Sequence, residues 1–170
     1  MLKRAKEAAA AKGGPRGLLL WILYQFFDVH VDKDLKYEGE IGAEHWTKVA
    51  NFIKELCQWF NGEADRRYTY CLIVQTKRGK TTFADVIMDL KINVGVKGNY
   101  NRNTSFPLNM CANKSMYYWN EPDIEPGALE EIKKIAGGDK HSVAIKHKHN
   151  RTQKQVQLLM TANKVAFPHA

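Results

Sequence analysis

At 170 residues and 44% hydrophobic, the chain is long enough to bury the core of one compact domain with at most a small appendage. A net charge of +8 favours a polyanionic partner or substrate, with simple solubility charge as the bland alternative. The longest apolar run, residues 18–27, falls short of the about 20 residues a bilayer span needs, so no membrane association is expected.

Lys3, Arg4 and Lys6 precede that run without a small-residue cleavage pattern after it, which argues against a signal peptide. Residues 1–17 read as a loose basic helix or tail closed by Gly13-Gly14-Pro15-Arg16-Gly17. Residues 18–31 are apolar and fit helix or strand equally, and residues 32–42 read as a linker. From 44 to 60 the pattern turns helical: Trp46, Val49, Phe52, Ile53, Leu56 and Phe60 recur at three- and four-residue steps, and Asn61-Gly62 stops the helix. Such a stripe serves core or subunit packing more often than a cofactor. Cys57, Cys71 and Cys111 are odd in number and lack metal-ligand spacing, so no zinc site is expected. Cys57 and Cys71 lie in apolar runs and read as buried free thiols of a reducing compartment.

A β-prone run, residues 70–74, leads into a polar loop and Gly79-Lys80-Thr81-Thr82, followed at once by a helical pattern over 83–90. Strand, loop, Gly-Lys-Thr and helix is the layout of a phosphate-binding loop. Backbone N–H groups and the helix N-terminus face the anion, Lys80 neutralises charge, and the Thr81 hydroxyl can ligand Mg²⁺. The full motif wants glycine where Val74 stands, so a basic turn, Lys77-Arg78-Gly79-Lys80, is the competing reading. A short strand over 92–96, a Gly/Asn-rich loop over 97–105 and a buried strand over 114–119 follow. Glu125-Pro126-Gly127 opens a helix bearing Leu129, Ile132 and Ile135, and Gly137-Gly138 ends it. Residues 142–148 and 153–160 read as a β-hairpin around His149-Asn150-Arg151-Thr152. On such a strand Lys146 and Lys148 share one face, and His147 and His149 the other. Strands alternating with helices from residue 68 on imply an α/β sheet.

Two constellations carry chemistry. A phosphate-loop ATPase needs a cradle, an acidic pair that holds the metal and polarises water, and a polar sensor, all at carboxyl ends of neighbouring strands. Lys80 with Thr81 and Thr82, then Glu121, then Asn163 occur in that order, although Glu121 also fits an ordinary strand-end carboxylate and Asn163 a turn former. The second constellation is Lys146-His147-Lys148-His149-Asn150-Arg151 with Lys154, whose lysines suit phosphate contact.

Taken together, these motifs resemble the superfamily 3 helicase domain, and most closely the replication initiator (nonstructural) proteins of parvoviruses. The resemblance spans residues 46–164. It rests on Gly79-Lys80-Thr81, Met116-Tyr117-Tyr118-Trp119-Asn120-Glu121, Ile135-Ala136-Gly137-Gly138-Asp139 with Lys146-His147-Lys148, and Leu158-Leu159-Met160-Thr161-Ala162-Asn163. It implies an α/β AAA+ parallel-sheet core behind a small helical N-terminal part. The expected divisions are a basic tail and linker over 1–43, a helical segment over 44–66 and the ATPase core over 67–170. It also implies a hexameric ring that pulls single-stranded DNA through a pore in the host nucleus, with ATP and Mg²⁺ as cofactors. By resemblance Gly79, Lys80, Thr81 and Thr82 bind nucleotide, with Thr81 and Glu121 serving the metal. Glu121 activates water, Asn163 positions it, and Lys146, His147 and Lys148 grip DNA.

Three departures from the family pattern stand out. Val74 replaces a glycine, Asn120 replaces the first of two acids, and Ala170 comes before the family's arginine finger. They leave a second reading open: a drifted, domesticated or truncated helicase-like protein that binds nucleic acid or partner subunits without turnover.

Overall fold

The computed structural model describes residues 22, 42–66, 68–76, 79–99 and 106–164. The expected basic tail, most of the apolar run over 18–31 and the linker before residue 42 lie outside these residues. So do Lys77, Arg78 and most of the Gly/Asn-rich loop. Ile22 itself is helical and buried.

The chain alternates helix and strand in the order α1 (Ala43–Asn61), β1 (Thr69–Ile73), α2 (Lys80–Leu90), β2 (Val94–Val96), β3 (Met116–Asn120), α3 (Leu129–Gly137), β4 (His141–Val143), β5 (Arg151–Gln153) and β6 (Gln157–Ala162). Short 3₁₀ turns, Asn109–Cys111 and Pro126–Ala128, precede β3 and α3. Strands β1, β6, β3 and β2 form one parallel sheet in that order. A parallel sheet must be covered on both faces, and the sequence supplies that cover by strict alternation. Tyr117, Trp119, Leu158 and Met160 point to one face, where Ile132 and Ile135 of α3 and Val143 of β4 pack on them. Met116, Tyr118, Leu72 and Leu159 point to the other, against Trp59 of α1 and Ala84 and Ile87 of α2. The molecule is therefore a three-layer α/β structure. No helix among the described residues is long and apolar enough to cross a membrane.

Helix α1 packs with most of the stripe its periodicity singles out, adding Trp59 and leaving Trp46 and Ile53 outside. Val49 and Trp59 are buried, Phe52, Leu56 and Phe60 half-buried, while Trp46 and Ile53 are 50% and 37% exposed. The cause lies at the helix end. Gly62 takes the left-handed conformation (φ 74°) and turns the chain back towards β1, so packing concentrates there. The Trp59 indole N–H donates to the Tyr68 carbonyl at 3.0 Å, and its ring tilts against Tyr70 at 5.4 Å. Gly138 ends α3 in the same conformation (φ 80°), with the Tyr68 ring where a side chain would project.

Two expectations need correction. Cys57 and Cys71 are exposed, and only Cys111 is buried. Cys57 lies on the outward side of α1, and Cys71 on edge strand β1 faces away from Leu72 and its core. The hairpin is also shorter than expected. Its arms are β4 and β5, antiparallel, pairing His141 with Gln153 and Val143 with Arg151. Residues 157–162 leave the hairpin and enter the main sheet as β6, because Leu158, Leu159 and Met160 gain full burial there. Lys146 to Lys148 thus sit in a turn, closed by Lys148 N–H donating to the Ile145 carbonyl at 3.1 Å, and not on a strand face. His147 adopts φ 60°, which breaks the two-residue alternation.

Candidate functional site

In a parallel sheet all carboxyl ends lie along one edge, so the residues after β1, β3 and β6 are brought together by topology alone. After β1, the Val74 N–H still donates to the Ala162 carbonyl at 3.1 Å, continuing the ladder with β6. Val74 is absent from the residues of positive φ, so a branched side chain there carries no left-handed strain. Gly79 supplies the left-handed turn instead (φ 72°) and caps the 11-residue helix α2. Lys80 begins α2, 7% exposed, and Thr81 and Thr82 follow, exposed in its first turn.

After β3, Glu121 turns sharply at φ 46°, an uncommon conformation for a side-chain-bearing residue. Its N–H donates to the Thr161 carbonyl at 2.7 Å, which fixes that turn against β6. The Glu121 carboxylate meets the Lys80 ammonium at 2.6 Å. Asn163, just past β6, closes the group: its side-chain oxygen accepts from Lys80, and its N–H donates to the second Glu121 oxygen at 3.2 Å. Lys80, Glu121 and Asn163, distant in sequence, thus form one hydrogen-bonded triad.

Behind the triad runs a polar line that sequence reasoning missed. The Thr161 hydroxyl, fully buried, donates to Asn120 Oδ1 at 2.7 Å. Having given its proton there, it accepts from the Tyr118 hydroxyl at 3.2 Å. Burial pushes the Tyr118 phenol above its ordinary range, which keeps it a donor. Asn120 provides an acceptor for Thr161 and adds no charge. Among the described residues, no three of His, Cys, Asp and Glu cluster as metal ligands. The carboxyl-edge groups that could serve a cation are Glu121 and the Thr81 hydroxyl.

Lys97, just after β2, was also missed. Its ammonium lies 3.2 Å from the centre of the Trp119 ring, and the residue is 3% exposed. Burial lowers its pKa to about 7. Nothing in a lysine opening a Gly/Asn-rich loop announces this environment.

The hairpin turn is the second candidate. Lys146, His147, Lys148 and His149 are all exposed. The Lys146 N–H ties the turn down by donating to Asn109 Oδ1 at 3.1 Å. At the hairpin base His141 is buried between the Asp139 carbonyl (3.0 Å) and the Tyr117 hydroxyl (3.1 Å). The basic side chains are therefore presented to solvent from a fixed base.

A cleft of about 660 Å³ lies elsewhere, lined by Tyr68, Ser115 and Gln157 at the amino ends of β1, β3 and β6. It is at the opposite edge of the sheet from Lys80 and shares no residue with the triad.

A profile of the parvovirus non-structural protein NS1 family matches residues 42–166. The chain belongs to that family. It is 29% identical over 112 residues to the initiator protein NS1 of Bombyx mori densovirus, covering 66% of this chain and 13% of that protein. With the initiator protein NS1 of Junonia coenia densovirus it shares 28% over 120 residues, 70% of this chain and 22% of that one. The chain therefore spans a small part of these NS1 relatives. Among solved structures, the NrS-1 C-terminal region superposes with a TM-score of 0.59 at 13% identity, over 88% of this chain and 33% of that one. The JCV helicase superposes at 0.52 with 15% identity, over 88% of this chain and 40% of that one. At such identities these likenesses establish the fold, a parallel-sheet α/β domain shared with a helicase.

Proposed function

We propose that this chain is a nucleotide- and DNA-binding helicase-type module of a replication initiator protein, acting on single-stranded DNA in the host nucleus as part of a ring of identical subunits. The observation that carries this reading is the convergence of Lys80, Glu121 and Asn163 at the carboxyl edge of the sheet, beside the N-terminus of α2. Family membership and the relatives' description as initiator proteins support the replication context.

The residues fit a nucleoside triphosphate with Mg²⁺. Gly79 and the first turn of α2 offer backbone donors, Lys80 a cation, and Thr81 a hydroxyl for the metal. When bound, the nucleotide supplies the phosphoryl group whose transfer drives work. Glu121 would take the proton of the attacking water, and Asn163 would hold that water through its amide. The exposed lysines of the hairpin turn would contact DNA phosphates, which reads charge and not base edges.

Asn120 favours a second reading, in which binding persists without turnover. One carboxylate, already paired with Lys80, is a meagre set for a hydrolytic metal centre. Steady-state ATPase measurement with and without single-stranded DNA separates the two. We expect hydrolysis by the chain alone to be absent or very slow. Robust DNA-stimulated hydrolysis would overturn that expectation and establish the motor reading.

A further inference from the structure

We infer that Glu121 sets the affinity of the site by competing with phosphate for Lys80; the inference rests on the nucleotide-site reading above. An ammonium has three N–H donors and is costly to bury without acceptors. At 7% exposure Lys80 directs donors to Glu121, at 2.6 Å, and to Asn163. Neither acceptor is a wandering surface group. The Glu121 backbone is fastened to Thr161 at 2.7 Å, and its second oxygen is held by the Asn163 N–H at 3.2 Å. The carboxylate therefore occupies, with the same charge and hydrogen-bond chemistry, the role a phosphate oxygen would take on Lys80.

The electrostatic consequence is definite. Lys80 and Glu121 together are neutral, and Asn120 contributes no charge, so an incoming polyphosphate gains from Lys80 only as far as it draws the ammonium from the carboxylate. A site whose cation is mostly engaged binds its ligand more weakly, the apparent Kd rising in inverse proportion to the fraction left free. The same carboxylate that would serve water activation thus holds down ground-state binding. Removing its charge while keeping its shape should tighten binding even as it removes the proposed base. That opposite sign is what distinguishes a competitor from an ordinary binding residue.

Calorimetric titration of the full chain with ATP and with inorganic triphosphate, each with and without Mg²⁺, tests this by binding alone. Glu121→Gln and Glu121→Ala should each tighten Mg²⁺-free triphosphate binding about three- to fivefold, as expected for releasing a partly exposed ion pair. Asp123→Asn removes an exposed carboxylate two positions away without touching Lys80, and should change affinity less than about twofold. Lys80→Ala should abolish binding in every background. Wild-type and Glu121→Gln affinities that agree, with binding still lost in Lys80→Ala, would overturn the competition and leave the nucleotide site standing. Equal tightening in Asp123→Asn would assign the effect to the general field and also overturn it. Failure of every variant to bind either probe would overturn both the competition and the nucleotide-site reading.

Discussion

Lys97 offers a prediction whose sign and size come directly from its surroundings. Its ammonium sits over Trp119 in the interior beneath β2 and β3, and burial lowers its pKa from the ordinary lysine range to about 7. The unfolded chain keeps that proton to higher pH, so between about 7 and 10.5 it binds more protons than the folded one. Stability must then rise with pH across that window. Each fully developed pH unit is worth about 1.4 kcal/mol per proton, so the gain from pH 7 to 9 is on the order of 2 kcal/mol. Above pH 9 the buried Cys111 thiol, raised by burial to about 12, pulls the other way, because only the unfolded chain ionises it readily. Tyr70, also raised by burial to about 12, adds to the decline above pH 10. The wild-type profile should therefore climb from pH 7, flatten near pH 9 and fall beyond pH 10. Lys97→Met keeps the apolar stem and deletes the charge. It should be more stable than wild type at pH 7 and lose the climb. Urea unfolding followed by far-ultraviolet circular dichroism at constant ionic strength measures both chains. Parallel wild-type and Lys97→Met curves between pH 7 and 9 would refute the reasoning.

Three further outcomes follow from the geometry. Gly138→Ala places a Cβ 2.3 Å from the Tyr68 ring at φ 80°, and should cost about 2–3 kcal/mol in denaturant unfolding. Lys146→Ala with Lys148→Ala should lower the slope of log affinity against log salt by about 1.4 on fluorescent single-stranded oligonucleotide, with the thermal midpoint nearly unchanged. Retention of the wild-type slope, with its loss on truncation of residues 1–17, would move DNA binding to the basic tail. Asn120→Asp keeps the acceptor that Thr161 needs and adds a charge beside Glu121. It should leave stability within about 0.5 kcal/mol and increase the Mg²⁺ dependence of calorimetric ATP binding.

The layered α/β architecture was legible because each strand carries its own evidence. Met116 to Trp119 and Leu158 to Met160 are apolar without interruption, as strands covered on both faces must be. That pattern with intervening helices implies parallel strands, and parallel strands bring their carboxyl ends to one edge. The meeting of Lys80, Glu121 and Asn163 was thus foreshadowed by order alone, whereas their mutual hydrogen bonds were not. The hairpin was harder to read. Residues 142–145 run apolar after Ser142 and residues 146–148 are all polar, a run that fits a strand end or an exposed turn equally, and sequence alone does not show where β6 departs. The backbone at Val74 was not legible either: only the structure reveals that its N–H remains in the ladder and that Gly79 carries the turn. Trp59 and Lys97 owe their burial to chain reversals and neighbouring rings that no local period encodes.

The central claim, that Lys80 is the phosphate-binding cation of a nucleotide site, is met most directly by calorimetric titration of wild type and Lys80→Ala with ATP and Mg²⁺. Substitution removes the partner of a carboxylate whose side chain is 42% exposed, so the variant should fold, as matching circular dichroism spectra would verify. The account predicts saturable one-site binding by wild type and none by Lys80→Ala. Equal binding by the two chains would contradict it and reduce the loop after β1 to a basic turn.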